Sequence, residues 1–215
     1  RLEDHVASAR MKTTPVIDFE KNESLKGLDY LDTIYHAIVN EHPIQLKYRS
    51  FKARSANSFI FYPYLLKEYR NRWFVYGVRG NGRILQNLAL DRIQSLEVLP
   101  QEHYIKNTFF DPNTFFNDLV GVTKNSGSVA EKVGFKVAAA EAPYIITKPI
   151  HRSQQVVERL ADGSVILEIE VVINHELERV FFGYAEGIQV LYPKTLVELM
   201  GRKLKKAAEQ YTHSK

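Results

Sequence analysis

Ile44-Gln45-Leu46-Lys47-Tyr48 opens a stretch that runs to Ile93, with Asn71-Arg72-Trp73-Phe74-Val75-Tyr76-Gly77 at its centre and Leu90-Asp91-Arg92-Ile93 at its end. The first five residues alternate: Ile44, Leu46 and Tyr48 fall on one face, Gln45 and Lys47 on the other, as in a half-buried strand. Phe59–Leu66 predicts a second strand, bent at Pro63. Polar turns are expected at Arg49–Ser58 and Lys67–Asn71. Arg72–Val78 predicts a third strand. Gly80-Asn81-Gly82 predicts a hairpin turn, because these residues tolerate positive φ. Arg83–Leu88 and Asp91–Val98 complete five strands.

The same stretch is the basic part of the protein. Residues 44–93 hold ten Lys and Arg against Glu68 and Asp91, a net of +8, while the remainder carries 19 bases against 23 acids, a net of −4. Ten of the 25 aromatic residues lie between Tyr48 and Tyr76. Cations neutralise phosphate and ring faces accept stacked bases, so this composition suits an anion or nucleic-acid binder. It also suits a soluble sheet whose rings are core and whose charges face water.

Outward from this stretch, Leu25, Leu28, Leu31, Ile34 and Ile38 recur at helical spacing and predict a helix over 24–42, capped by Asn22 or Ser24 and closed by Pro43. A helix followed by five short strands implies an Sm- or SH3-like small β-barrel. Residues 1–23 read as an N-terminal connector. Residues 100–129 read as a linker with a short helix at Asp111-Pro112, ending in the polar run Lys124–Ser128.

In the last 85 residues, strands are expected at Lys132–Ala138, Ile150–Leu160, Val165–Ile173 and Ile188–Leu191. Helices are expected at Glu141–Thr147, His175–Ala185 and Pro193–Gln210, with a hairpin turn at Ala161–Ser164. The order β-α-β-β-α-β with a helical tail predicts a ferredoxin-like domain over 130–215. The fold class is therefore α+β in two units, with the first bounded at 24–99.

The chain resembles WYL-domain bacterial transcriptional regulators over about residues 24–212. The resemblance rests on Ile44–Tyr48, Tyr62-Pro63-Tyr64-Leu65-Leu66, Arg72-Trp73-Phe74-Val75 and Leu90-Asp91-Arg92-Ile93. The tail resembles the extension that accompanies such domains, through Pro149–Gln154, Asp162-Gly163, Phe182-Gly183-Tyr184 and Val190–Pro193. The family's Trp-Tyr-Leu is Trp73-Phe74-Val75 here, without the tyrosine hydroxyl. Positions that are often Arg, Phe and Arg in the family are Gln86, Leu88 and Ala89 here. The resemblance implies a sensory module behind an N-terminal winged helix-turn-helix. Duplex DNA is then read only by that missing domain, and a homodimer is expected.

The candidate ligand or nucleic-acid contacts are Tyr48, Arg72, Trp73, Arg79, Arg83, Gln86 and Arg92. Arginine gives forked hydrogen bonds to phosphate. Trp73 is expected to pack inward, with a ligand platform as the alternative, and Arg92 to bind anion or to pair with Asp91. Gln86 and Asn87 are candidates to read a base edge. The seven histidines are scattered without metal-type spacing, and no catalytic set is legible, so neither enzyme activity nor a cofactor is expected. The chain has no cysteine, which suits a cytoplasmic protein, and no apolar run of membrane-spanning length. The expected partner is a nucleotide-like or single-stranded nucleic-acid effector. A protein-interaction module using the same basic face is the alternative.

Overall fold

The computed structural model describes residues 26–212 apart from Asn81 and Arg83. The expected connector, the Asn22 or Ser24 cap and the tip of the Gly80–Gly82 turn lie outside the described residues. A 3₁₀ turn at Leu28–Tyr30 leads into helix α1 (Leu31–Val39), shorter than the expected 24–42. Gly27 sets the start. Its φ is 88°, and a Cβ there would stand 2.5 Å from the Leu90 carbonyl carbon. The far end stops before Pro43. His42 N–H donates to Ala37 O and Glu41 N–H to Ile38 O, with Glu41 at φ 53°, which is a Schellman closure.

Five strands follow: β1 (Ile44–Tyr48), β2 (Asn57–Tyr69), β3 (Arg72–Arg79), β4 (Gln86–Ala89) and β5 (Ile93–Val98). All pairings are antiparallel, in the order β4-β3-β2-β1-β5. The edge strands β4 and β5 are joined by a 3₁₀ turn at Leu90–Arg92. Strand β2 is longer than expected. It passes Pro63 by a register shift, and the facing Gly77 has no room for a Cβ, which would meet Tyr62 O at 2.1 Å. The turn after it is only Arg70-Asn71, at φ 52° and 58°, the two-residue turn whose twist suits a hairpin. Strand β4 begins three residues later than the expected Arg83. Ile34 and Ala37 of α1 close over Ile44, Leu46, Phe61, Val75, Leu88, Leu90 and Ile93.

The second unit holds β6 (Glu131–Val137), α2 (Ala142–Thr147), β7 (Gln155–Arg159), β8 (Val165–Val171), α3 (His175–Phe182), β9 (Ile188–Tyr192) and α4 (Lys194–Thr212). Its antiparallel sheet runs β7-β8-β6-β9. Val133, Phe135, Val137, Leu167, Ile169 and Val171 pack under Ile145, Leu177, Phe181 and Leu196. Strand β7 is shorter than expected at both ends. The Gln154 side chain accepts from Ile150 N–H and donates to Ile145 O, which binds the preceding loop to α2. Helix α3 ends at Phe182 rather than Ala185, and a 3₁₀ turn at Ala185–Gly187 follows.

The region between the units is more ordered than a linker. The expected helix at Asp111-Pro112 is a run of turns, with the Asp111 carboxylate accepting from Asn113 N–H and Thr114 Oγ1. The physical reason is aromatic. Phe110, Phe115 and Phe116 converge on the outer ring of Tyr76, with centroids 6.2, 5.8 and 5.3 Å away. Helical spacing would not aim all three at one ring. Asn125–Gly127 are exposed, but Val120 and Val122 are buried.

Candidate functional site

The Leu90–Arg92 turn gathers the first cluster. Leu90 is buried under Gly27 and anchors the turn, leaving Asp91 and Arg92 at the surface. Arg72, the first residue of β3, reaches Asp91 with two nitrogens: Nε lies 3.3 Å from Oδ1, and Nη2 donates to Oδ2. Asp91 is thus paired with Arg72, not with its neighbour Arg92. The Arg92 guanidinium instead lies 4.4 Å from the centroid of Phe51, and that of Arg72 lies 5.8 Å from the same ring. Phe51 is 75% exposed, so two cations flank a ring that still faces solvent. Arg92 Nε is buried and has no hydrogen-bond partner among the described residues. A buried donor without an acceptor is unfavourable. The Arg92 carbonyl accepts from Arg49 N–H at 3.1 Å, which ties the β1–β2 loop to the turn. Arg49, Ser50, Phe51, Asp91 and Arg92 line a cleft of about 320 Å³.

Of the seven expected contacts, Arg72 and Arg92 come together here. Tyr48 does not join them. It is a core residue, 9% exposed, set edge-on to Phe59 at 6.5 Å. Arg79 stands at the opposite end of β3, exposed, with its guanidinium 4.1 Å from the Phe59 centroid. Gln86 lines a separate cavity of about 310 Å³ beside Asn87, Phe115 and Lys124. Asn87 Nδ2 donates to Val122 O at 2.8 Å, which fixes its amide against the segment between the units. Arg83 lies outside the described residues. Trp73 is partly buried and packs against the core of the first unit. Truncating a buried Trp costs about 3–5 kcal/mol, and Trp73 is only partly buried, so Trp73→Ala should cost about 2–4 kcal/mol in urea unfolding. Phe51 and Arg49 were not among the expected contacts. Their signal was a lone ring among Arg49, Lys52 and Arg54 in a segment with no strand pattern to explain it.

A second cluster joins the two units. Val122 O accepts from both Tyr76 OH and Asn87 Nδ2 of the first sheet. Burial raises the Tyr76 phenol above its ordinary range, which keeps it a donor. From the other side, Asn174 Nδ2 donates to Val120 O at 2.9 Å and Thr123 O at 3.0 Å, and Thr123 Oγ1 donates to Glu176 at 2.7 Å. His151 is buried nearby and accepts from Ser153 N–H at Nδ1. Burial, aided by Arg152, lowers its pKa, against the opposing pull of the Asn117 carbonyl and Asp118. A histidine lowered in the folded state binds its proton more readily when unfolded. Stability is therefore full above about pH 6.5 and is lost as pH falls through that value. Urea midpoints at pH 7.5 and 5.5 should differ, and the difference should shrink in His151→Gln.

Among the described residues no helix is long and apolar enough to cross a membrane, and no three His, Asp or Glu are grouped to hold a metal. Residues 29–98 match the family model described as WYL domain, and residues 130–208 the one described as WCX domain. No curated protein matches the chain. Among solved structures, proteasome accessory factor B/C (PafBC) of Arthrobacter aurescens is similar at 15% identity and a TM-score of 0.41, covering 96% of this chain and 32% of that one. A structure described as a CRISPR Cas-related protein is similar at 12% identity and a TM-score of 0.50, covering 84% of this chain and 50% of that one. The chain thus spans about a third of one structure and half of the other.

Proposed function

The chain belongs to the WYL-domain regulators, its WYL domain followed by a WCX domain, and from this membership we propose that it is the effector-sensing part of a bacterial transcription regulator. The effector is nucleotide-like or single-stranded nucleic acid, bound where Arg92 and Arg72 flank Phe51. The observation that carries this reading is the buried, unpartnered Nε of Arg92 beside an exposed ring. A phosphate pairs with the Arg92 guanidinium, and a base stacks against the exposed Phe51 ring. In this reading duplex DNA is recognised by another part of the regulator. A cytoplasmic setting fits this role.

We read the first unit as an Sm-like barrel, supported by the helix, the five-strand order and the 3₁₀ turn between β4 and β5. We read the second as ferredoxin-like, supported by its β-α-β-β-α-β order and its β7-β8-β6-β9 sheet. Strand β7 is an edge with Val156 and Val157 exposed, which favours pairing with a second copy as a homodimer. The test is a titration of short single-stranded DNA, RNA and cyclic nucleotides at low salt. Saturable, salt-sensitive binding is expected, and no binding of any probe would remove the proposal.

A further inference from the structure

A second cluster of cations faces the first across the two units. Lys52, of the β1–β2 loop, lines a cleft of about 470 Å³ together with His175, Glu178, Arg179 and Phe182 of α3 and Lys203 of α4. Three permanent cations there face one carboxylate. That carboxylate is committed: Glu178 is buried, accepts from Lys203 Nζ, and stands 3.5 Å from His175 Nδ1. It holds Lys203 against the helix pair. Lys52 and Arg179 are exposed, and neither has an ion-pair partner among the described residues. Nearby, the Tyr69 phenol is raised by burial, with Arg70 and Arg179 pulling it down and Glu176 pushing it up.

Phe51 lines the Arg92 cleft and Lys52, the next residue of the β1–β2 loop, lines this one, so one loop contributes a wall to each cleft. Lys52, Arg179 and Lys203 outnumber the one carboxylate beside them, and such an excess of like charge in a cleft attracts a polyanion.

We infer that the Lys52–Arg179–Lys203 cleft is a second phosphate subsite, so that the effector is an oligonucleotide bridging the WYL and WCX units rather than a mononucleotide. This rests on the effector reading above and deepens it. A ligand that touches both units favours whichever arrangement brings their cations to its phosphates, which gives the effector differential affinity for one domain arrangement. Lys203 is positioned by Glu178, while Lys52 and Arg179 move to meet the ligand.

The experiment measures binding of thymidine 5′-monophosphate and of oligothymidylates two, four and six nucleotides long to the full chain. A double variant, Lys52→Ala with Arg179→Ala, is measured in parallel. Both side chains are exposed and unpaired, so the variant should keep the wild-type melting curve. In the wild type, affinity should rise steeply once the probe spans both clefts. In the double variant that rise should vanish while the shortest probes bind as before. The salt slope for the hexamer should fall by about 1.4, the share of two single-strand phosphate contacts. Affinity independent of length, or a length dependence unchanged in the double variant, overturns the second subsite and leaves the Arg92 site standing. Failure of every probe to bind the wild type overturns both.

Discussion

Arg92→Ala should weaken binding of a short single-stranded oligonucleotide by about tenfold to a hundredfold while leaving the melting midpoint unchanged or slightly raised. The affinity estimate follows from one charge-assisted hydrogen bond, about 1.5–3 kcal/mol, at about 1.4 kcal/mol per tenfold. The stability side follows from what Arg92 lacks. Its Nε is buried without an acceptor, and its guanidinium rests on an exposed ring rather than on a carboxylate. Removing the side chain removes an unsatisfied donor and breaks no ion pair. Arg72→Ala is the contrast. It strands the half-buried Asp91 carboxylate, which has two hydrogen bonds from Arg72, so binding and stability should fall together. Calorimetric melting with an anisotropy titration of each variant separates the two cases. A destabilised Arg92→Ala protein that binds normally would make Arg92 a structural residue.

Asn174→Ala should cost about 3–7 kcal/mol, from one lost helix cap and two carbonyls left without a donor, and loosen the joint between the units. Asn174 caps α3 by accepting from Leu177 N–H at 2.9 Å, and loss of such a cap costs about 1 kcal/mol. The same amide donates to Val120 O and Thr123 O, and Asn174 is only 6% exposed. Each carbonyl left unpaired in a buried setting costs about 1–3 kcal/mol. Asn174→Asp separates the two roles. Aspartate caps as well as asparagine, but it cannot donate, and its charge would face two carbonyl oxygens. Urea unfolding should therefore show Asn174→Asp destabilised at least as much as Asn174→Ala. A near-wild-type Asn174→Asp protein would show that the cap alone matters and that the segment from Val120 to Thr123 is held by other contacts.

Much of this protein was legible in its order of residues. The alternation of Ile44, Leu46 and Tyr48 places β1 to the residue, because a strand's side-chain period is local. The Asp162-Gly163 turn and the strands expected at Lys132–Ala138 and Val165–Ile173, observed at Glu131–Val137 and Val165–Val171, are local in the same sense. Family resemblance carried the two-unit organisation from Leu90-Asp91-Arg92-Ile93 and the Pro149–Gln154 loop. Other features depend on where distant segments meet. The 3₁₀ turn that leads into α1 starts after Gly27, where Leu90, far along the chain, leaves no room for a Cβ. The run after Asp111 fails to become a helix because three phenylalanines are drawn to Tyr76. Asp91 chooses Arg72 across the sheet over the Arg92 beside it, since neighbours on a tight turn point apart. That choice leaves Arg92 free for Phe51. Residues 100–129 read as a linker because they end in the polar run Lys124–Ser128, but the backbone carbonyls of Val120, Val122 and Thr123 are what join the units. Side-chain pattern reports which residues prefer burial. It carries no record of which carbonyl meets which amide, or which of two adjacent cations is left without a partner, because those are settled only when separate elements pack.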